Sequence, residues 1–237
     1  MRVARVVVAR EIMGEARVGQ GSIQAVIFDF DGVLVDSEPI RFTAGSQALE
    51  EIGVSLSWER FMKFWLGRTD DAGLRDILGD RFEADGKRVV ARRNALYEER
   101  LDEVQAFPDS LRFLRRVPDG TRLAVATGSR QTEVERILTR LRLFPDFHAI
   151  VTAEDYAHAK PAPDPFLTAA RRLDISPRSC LVIEDSSAGV TAAHAAGMPV
   201  VAVDRGRGAV GLEQADWQVA NLDELILTSK GEVVVRS

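Results

Sequence analysis

The stretch Ala25–Pro39, AVIFDFDGVLVDSEP, limits what this chain can fold into more than any other. An unbroken apolar run, Ala25 to Phe28, leads into two carboxylates separated by one residue, Asp29 and Asp31, and then at once into Gly32. Such a run reads as a buried strand of a parallel sheet, and groups at its carboxyl end stand where open α/β sheets bind their ligands. Aspartate and glycine are also ordinary turn residues, so a solvated strand-to-loop transition fits the same letters. Two acids beside a buried strand nevertheless repel each other unless a cation or hydrogen bonds neutralise them. The pair points to a cation site.

Two kinds of periodicity follow. From Ile40 to Val104, apolar residues such as Leu49, Phe61, Trp65, Leu74, Ile77, Val89 and Leu96 recur at three- and four-residue steps among charged ones, as in amphipathic helices. From Asp109 onward strand and helix patterns alternate. Strands are expected at Arg122–Ala126, Ala149–Val151, Cys180–Ile183 and Val200–Val203. Helices are expected at Leu111–Val117, Gln131–Leu141, Pro165–Leu173 and Ala188–Ala196, with Asp164 as the cap of the third. The expected fold is α/β, a doubly wound, Rossmann-like parallel sheet core over residues 22–38 and 106–237, with an inserted all-helical cap domain over 39–105. Residues 1–21 read as a peripheral extension. At 237 residues, 46% of them hydrophobic, the chain is long enough for one full core and a small second module.

Charge and cysteine usage exclude several classes. With 36 acidic against 31 basic residues the net charge is −5, and no basic stripe with interleaved aromatics appears, so no nucleic-acid partner is expected. No apolar stretch approaches the roughly 18 to 20 residues that span a bilayer, so no membrane partner is expected either. The only cysteine, Cys180, sits inside an apolar run, which rules out a disulfide framework and suits small buried filler in a reducing, cytoplasmic compartment. His148, His158 and His194 are too widely separated for a metal motif by spacing and read as surface or capping residues. Trp58 and Trp65, two helical turns apart, read as packing within the helical insert.

Three later strand ends carry polar residues that can meet Asp29 and Asp31. Arg122–Ala126 runs into Thr127-Gly128-Ser129 just before a helix, and a hydroxyl and glycine with free helix N–H groups suit an anion such as phosphate. An ordinary N-cap by Ser129 fits the same residues, and both readings can hold together. Lys160 lies in AKPAPDPF, where Pro161 and Pro163 stiffen the loop that presents it. Cys180–Ile183 ends in Glu184-Asp185-Ser186, a second acidic pair at the end of a second core strand, which also reads as helix capping. If the two strands are neighbours, their carboxylates form a hard oxygen site of the kind that holds Mg2+.

Taken together, DFDGVLVD (Asp29–Asp36), ATGS (Ala126–Ser129), KPAPDPF (Lys160–Phe166) and IEDSSAGV (Ile183–Val190) resemble, in order, the four motifs of the haloacid dehalogenase superfamily. The likeness spans about Ala25 to Asp204. It extends to the position of the helical insert after the first strand, as in the β-phosphoglucomutase and phosphoglycolate phosphatase-like subfamily. This resemblance implies that Asp29 is a nucleophile that becomes an aspartyl-phosphate and that Asp31 is the acid and base. It implies Mg2+ held by Asp29, the Asp31 carbonyl and Asp185 with support from Glu184, and phosphoryl oxygens bound by Thr127, the Gly128 amide and Lys160. The relatives that cleave carbon–halogen bonds lack an acid at the place of Asp31, which argues against dehalogenation. The expected activity is Mg2+-dependent hydrolysis of small organic phosphate monoesters, sugar phosphates first, by a monomer acting on a phosphorylated metabolite. The alternatives are a β-phosphoglucomutase-like sugar phosphomutase and, in a different class, a catalytically inactive regulatory or interaction protein. The related mutases carry histidine where this chain has Arg41 and arginine where it has Asp70. For contacts to the leaving group, Arg68 in the cap and Glu38 are the candidates, since a guanidinium fork matches carboxylate or phosphate and an acid accepts from sugar hydroxyls.

Overall fold

The computed structural model describes residues 22–65, 70–143 and 146–236, which fall into two compact units, residues 22–35 with 106–236, and Asp36–Gln105. The extension at residues 1–21 and Arg68 lie outside the described residues. In chain order, β1 (Ala25–Phe28) is followed by the short strand β2 (Val35–Asp36), then by helices α1 (Glu38–Glu50), α2 (Trp58–Phe64), α3 (Asp70–Leu78) and α4 (Phe82–Glu99). The short strand β3 (Gln105–Ala106) precedes α5 (Pro108–Arg116), β4 (Arg122–Ala126), α6 (Gln131–Leu141), β5 (Ala149–Val151) and α7 (Asp164–Leu173). The chain ends through β6 (Cys180–Glu184), α8 (Ser187–Ala195), β7 (Val200–Val203), β8 (Trp217–Val219), β9 (Leu225–Leu227) and β10 (Val233–Val235).

In the larger unit the six-stranded sheet runs β5-β4-β1-β6-β7-β8 with every neighbouring pair parallel, a doubly wound α/β core. The apolar run of β1 is fully buried at the centre, because both of its faces are covered and no polar alternation is tolerated there. Chain order leaves β1 toward β4 on one side and returns to β6 on the other, so the crevice of an open sheet lies at the carboxyl end of β1. Phe28 pairs with both Val125 and Ile183, which brings the ends of three strands to one level. Cys180 is buried filler: its thiol reaches the Ser176 carbonyl at 3.4 Å, and burial pushes it up to about 12.

The cap of α7 differs from expectation. Pro163 takes that position without a side-chain bond, and Asp164 stands inside the first turn, its carboxylate held by His158 Nδ1 at 3.0 Å. The strands β9 and β10 pair antiparallel, and three residues each leave too little pattern to read in advance. Among the described residues of the smaller unit, the regular structure is helical apart from the residues of β2 and β3, as the periodicity suggests. Leu49, Leu74, Val89 and Tyr97 are buried, and Phe42 meets Trp58 edge-on with centroids 5.1 Å apart. Ser57 caps α2 by accepting from the Arg60 N–H.

The segment after β8 is fastened to α5 by charge. Arg112 grips Asp223 with two nitrogens, at 3.0 and 2.5 Å, and Arg116 adds a contact of 3.2 Å. The Arg112 hydrogen bonds, with those from Arg116, lower the Asp223 carboxyl to about 2. A folded value below the ordinary carboxylate value stabilises the protein above that value, and the contribution disappears as pH falls toward the folded one. Between about pH 4 and 2, native protein should therefore lose stability faster than Asp223→Asn. Paired thermal melts test this, and parallel curves over that window would refute it.

Candidate active site

The turn after β1 is set by short-range geometry. Asp29 continues the ladder through its N–H to the Ile183 carbonyl at 2.9 Å, and Leu34 N–H closes back on the Phe30 carbonyl at 2.9 Å. Gly32 adopts φ +78, open to glycine at little cost, and a Cβ there would lie 1.8 Å from Asp185 Oδ2. Glycine is what lets the end of β6 approach this turn. Arg205 braces it from outside, donating to the carbonyls of Gly32 at 3.3 Å and Val33 at 3.2 Å while paired with Asp109 at 2.8 Å.

Lys160 joins the two strands chemically. Its Nζ lies 2.6 Å from Asp29 Oδ1 and 2.6 Å from Glu184 Oε1, with side-chain exposures of 13%, 12% and 1% for Lys160, Asp29 and Glu184. Burial pushes the Asp29 carboxyl up to about 7. Lys160 opposes the shift, and repulsion from Glu184 and Asp31 adds to it. For Lys160, burial acts to lower the ammonium value, but the two carboxylates outweigh it and raise it above the ordinary range, so the side chain stays charged. The other Glu184 oxygen accepts from the Asp185 and Ser186 N–H groups, each at 2.8 Å, and from Ser186 Oγ at 2.9 Å. A Cβ on Gly189 would fall 1.8 Å from this carboxylate, so Glu184 is packed into the start of α8 and held rigidly.

Carboxylate oxygens of Asp29, Glu184 and Asp185 lie within 4.8 Å of one another. Three acids facing one lysine leave excess negative charge, and all-oxygen donors suit a hard divalent ion such as Mg2+, so these residues fit one. Beside them is the turn after β4. Thr127 and Ser129 are buried, and Ser129 N–H donates to Thr127 Oγ1 at 3.0 Å. Ser129 does not cap α6, whose cap position falls to Arg130 without a side-chain bond; its hydroxyl instead donates to Asp31 Oδ2 at 2.6 Å. The nearest heavy atom to a Cβ on Gly128 would be the Tyr156 hydroxyl at 3.9 Å, so this glycine borders open space, whereas Gly32 and Gly189 border packed carboxylates.

Asp29, Asp31, Thr127, Gly128, Glu184 and Asp185 thus belong to the larger unit, at or just past the carboxyl ends of its strands, as does Lys160, in the segment between β5 and α7. Glu38 belongs to the smaller one, in the first turn of α1. There too, Asp70 accepts from Trp65 Nε1 at 2.9 Å and pairs with Arg93, and Arg41 stacks 4.5 Å from the Tyr97 ring centroid. Ser129 as partner of Asp31 has a sequence signal, its place beside Thr127-Gly128. Tyr156 and Arg205 have none, since both act through contacts between residues distant in the chain.

The profile of the haloacid dehalogenase-like hydrolases matches residues 26–203. A β-phosphoglucomutase of Bacillus subtilis (strain 168) is 33% identical over 221 residues, covering 89% of this chain and 96% of that protein. The fructose-1-phosphate phosphatase YqaB of Escherichia coli (strain K12) is 34% identical, covering 75% of this chain and 95% of its own. Among solved structures, a β-phosphoglucomutase from Clostridium difficile superposes with a TM-score of 0.71 at 25% identity, over 86% of this chain and 93% of the other.

Proposed function

The chain belongs to the haloacid dehalogenase-like hydrolases and is an enzyme of the phosphatase kind, and we propose that it hydrolyses small phosphate monoesters, sugar phosphates first, through an aspartyl-phosphate on Asp29. Supporting this above all is the convergence of Lys160, Asp29, Glu184 and Asp185 beside the Thr127–Ser129 turn. Lys160 holds one oxygen of Asp29 at 2.6 Å, which fixes the carboxylate for attack on phosphorus. As the new Asp29–phosphorus bond forms, the ester oxygen leaves and takes a proton from Asp31. A water then gives its proton to Asp31, attacks phosphorus and releases Asp29 and inorganic phosphate. Ser129, donating at 2.6 Å, keeps the Asp31 carboxyl in place for both transfers. Thr127 Oγ, the Gly128 N–H and Lys160 bind the phosphoryl oxygens. Mg2+ would be held by Asp29, Asp185 and the Asp31 carbonyl, with Glu184 behind them, and when bound it neutralises charge on the phosphoryl group.

The 33% identity to a β-phosphoglucomutase favours a second reading, transfer of the phosphoryl group between two hydroxyls of one sugar. Against it stand Arg41 and Asp70, where the related mutases carry histidine and arginine. Asp70 is engaged with Arg93 and Trp65. The test is phosphate release from a panel of sugar phosphates, glycerol phosphate and phosphoglycolate, with Mg2+ and with EDTA. Release that depends on Mg2+ is expected, most rapid with a sugar phosphate. Absence of turnover across the panel would overturn the phosphatase reading. Conversion of β-glucose 1-phosphate with a bisphosphate primer to glucose 6-phosphate, without matching phosphate release, would establish the mutase.

A further inference from the structure

We infer that Tyr156 is a positioning residue for the phosphate cradle, acting through the peptide between Thr127 and Gly128; this rests on the phosphatase reading above. The Tyr156 hydroxyl donates to the Thr127 carbonyl at 3.0 Å. That carbonyl and the Gly128 N–H belong to one planar trans peptide and point in opposite directions, so fixing the oxygen on one side fixes the aim of the N–H on the other. The Gly128 N–H makes no hydrogen bond to the protein among the described residues, whereas its neighbours are committed. Thr127 N–H donates to the Val151 carbonyl at 3.0 Å and Ser129 N–H to Thr127 Oγ1 at 3.0 Å.

Tyr156 is itself held still. Its ring packs against the buried cluster around Phe166 and Val151. The turn Ala153–Asp155 before it is locked by a capping box, in which Asp155 Oδ2 accepts from Thr152 N–H at 2.8 Å and Thr152 Oγ1 at 3.1 Å. Arg172 closes that turn from α7, donating to the same oxygen at 3.1 Å. A donor aimed in advance at the site of developing charge needs no reorganisation when the phosphoryl group arrives, and this is where most of its value lies.

The experiment compares native protein with Tyr156→Phe, which removes one oxygen and keeps the packed ring. Binding of inorganic phosphate in the presence of Mg2+ is measured by calorimetry and as product inhibition. Melting temperature and Mg2+ affinity are recorded alongside. The variant should bind phosphate about 3- to 10-fold more weakly and lose a similar factor in kcat/KM, the worth of one neutral hydrogen bond. Its Mg2+ affinity should match that of the native protein, and its melting temperature should fall by no more than a few degrees, as the loss of one hydrogen bond allows. Equal phosphate affinity in the two proteins would overturn the inference and leave the phosphatase reading intact. A lowered melting temperature with phosphate affinity retained would assign the hydroxyl a structural role and overturn it as well. Native protein that neither binds phosphate nor releases it from any ester would overturn both.

Discussion

Asp29→Asn should lower phosphate release by at least about 10^3-fold while leaving the melting temperature in metal-free buffer unchanged or higher. The loss of turnover follows from replacing the attacking carboxylate with an amide, which is a poor nucleophile of nearly the same shape. The stability half comes from electrostatics. Burial disfavours the charged form of Asp29, and Glu184 and Asp31 add repulsion to it. An amide carries none of that penalty, and Lys160 keeps its bond of 2.6 Å to Glu184. Folding rests on the apolar strand beneath and on the Asp29 N–H bond to Ile183, which asparagine makes equally well. A variant that keeps native turnover would remove Asp29 from the chemistry. One that loses turnover together with most of its stability would make Asp29 a structural acid.

A residue expected to be dispensable for folding and necessary for reaction is one whose arrangement sequence can announce but not explain. The strand bounds of β4, β5 and β7 and the span of α6 coincide with the expected ones because each is dictated locally, by an apolar run or an amphipathic repeat. Asp29 and Asp31 are legible for the same reason, since charges at the end of a buried run break a pattern. Partnerships across the chain carry no such mark. Lys160 and Asp29 are 131 positions apart, and the strand order β5-β4-β1, with Lys160 in the segment that follows β5, brings them together. Ser129 shows the ambiguity at its sharpest. A serine before a helix is the ordinary signature of a cap, yet here Asp31, in the turn after β1, takes its hydroxyl, and Arg130 takes the cap position. Asp164 is drawn off in the same way by His158. For Ser129 a tertiary partner displaces a local one, and nothing in the local letters records the competitor; for Asp164 the competitor stands six residues back in the chain.

The same cross-strand chemistry makes Lys160 the position where substitution should cost activity and stability together. Lys160→Met keeps an unbranched apolar side chain and deletes the ammonium, together with its contact to the Phe166 ring, whose centroid lies 4.8 Å from Nζ. It leaves Asp29 and Glu184 without the ammonium that each meets at 2.6 Å, and Glu184 is 1% exposed. Removing one partner of a buried ion pair costs about 3–5 kcal/mol, because the remaining charge stays desolvated. Glu184 retains three donors on its other oxygen, which keeps the turn after β6 formed and sets the expected loss toward the lower end of that range. Turnover should fall by about 10^2- to 10^3-fold, as when one preorganised donor to a developing charge is deleted. Mg2+ should separate the two effects. Any cation that binds the folded acids and not the unfolded chain raises stability by mass action, so millimolar Mg2+ should restore part of the lost melting temperature. It should leave turnover low, since the phosphoryl oxygens still lack their lysine. If Mg2+ restores neither, the acids do not form a cation site, and if the metal-free variant melts like the native protein, the ammonium is not what holds β1 and β6 together at this end.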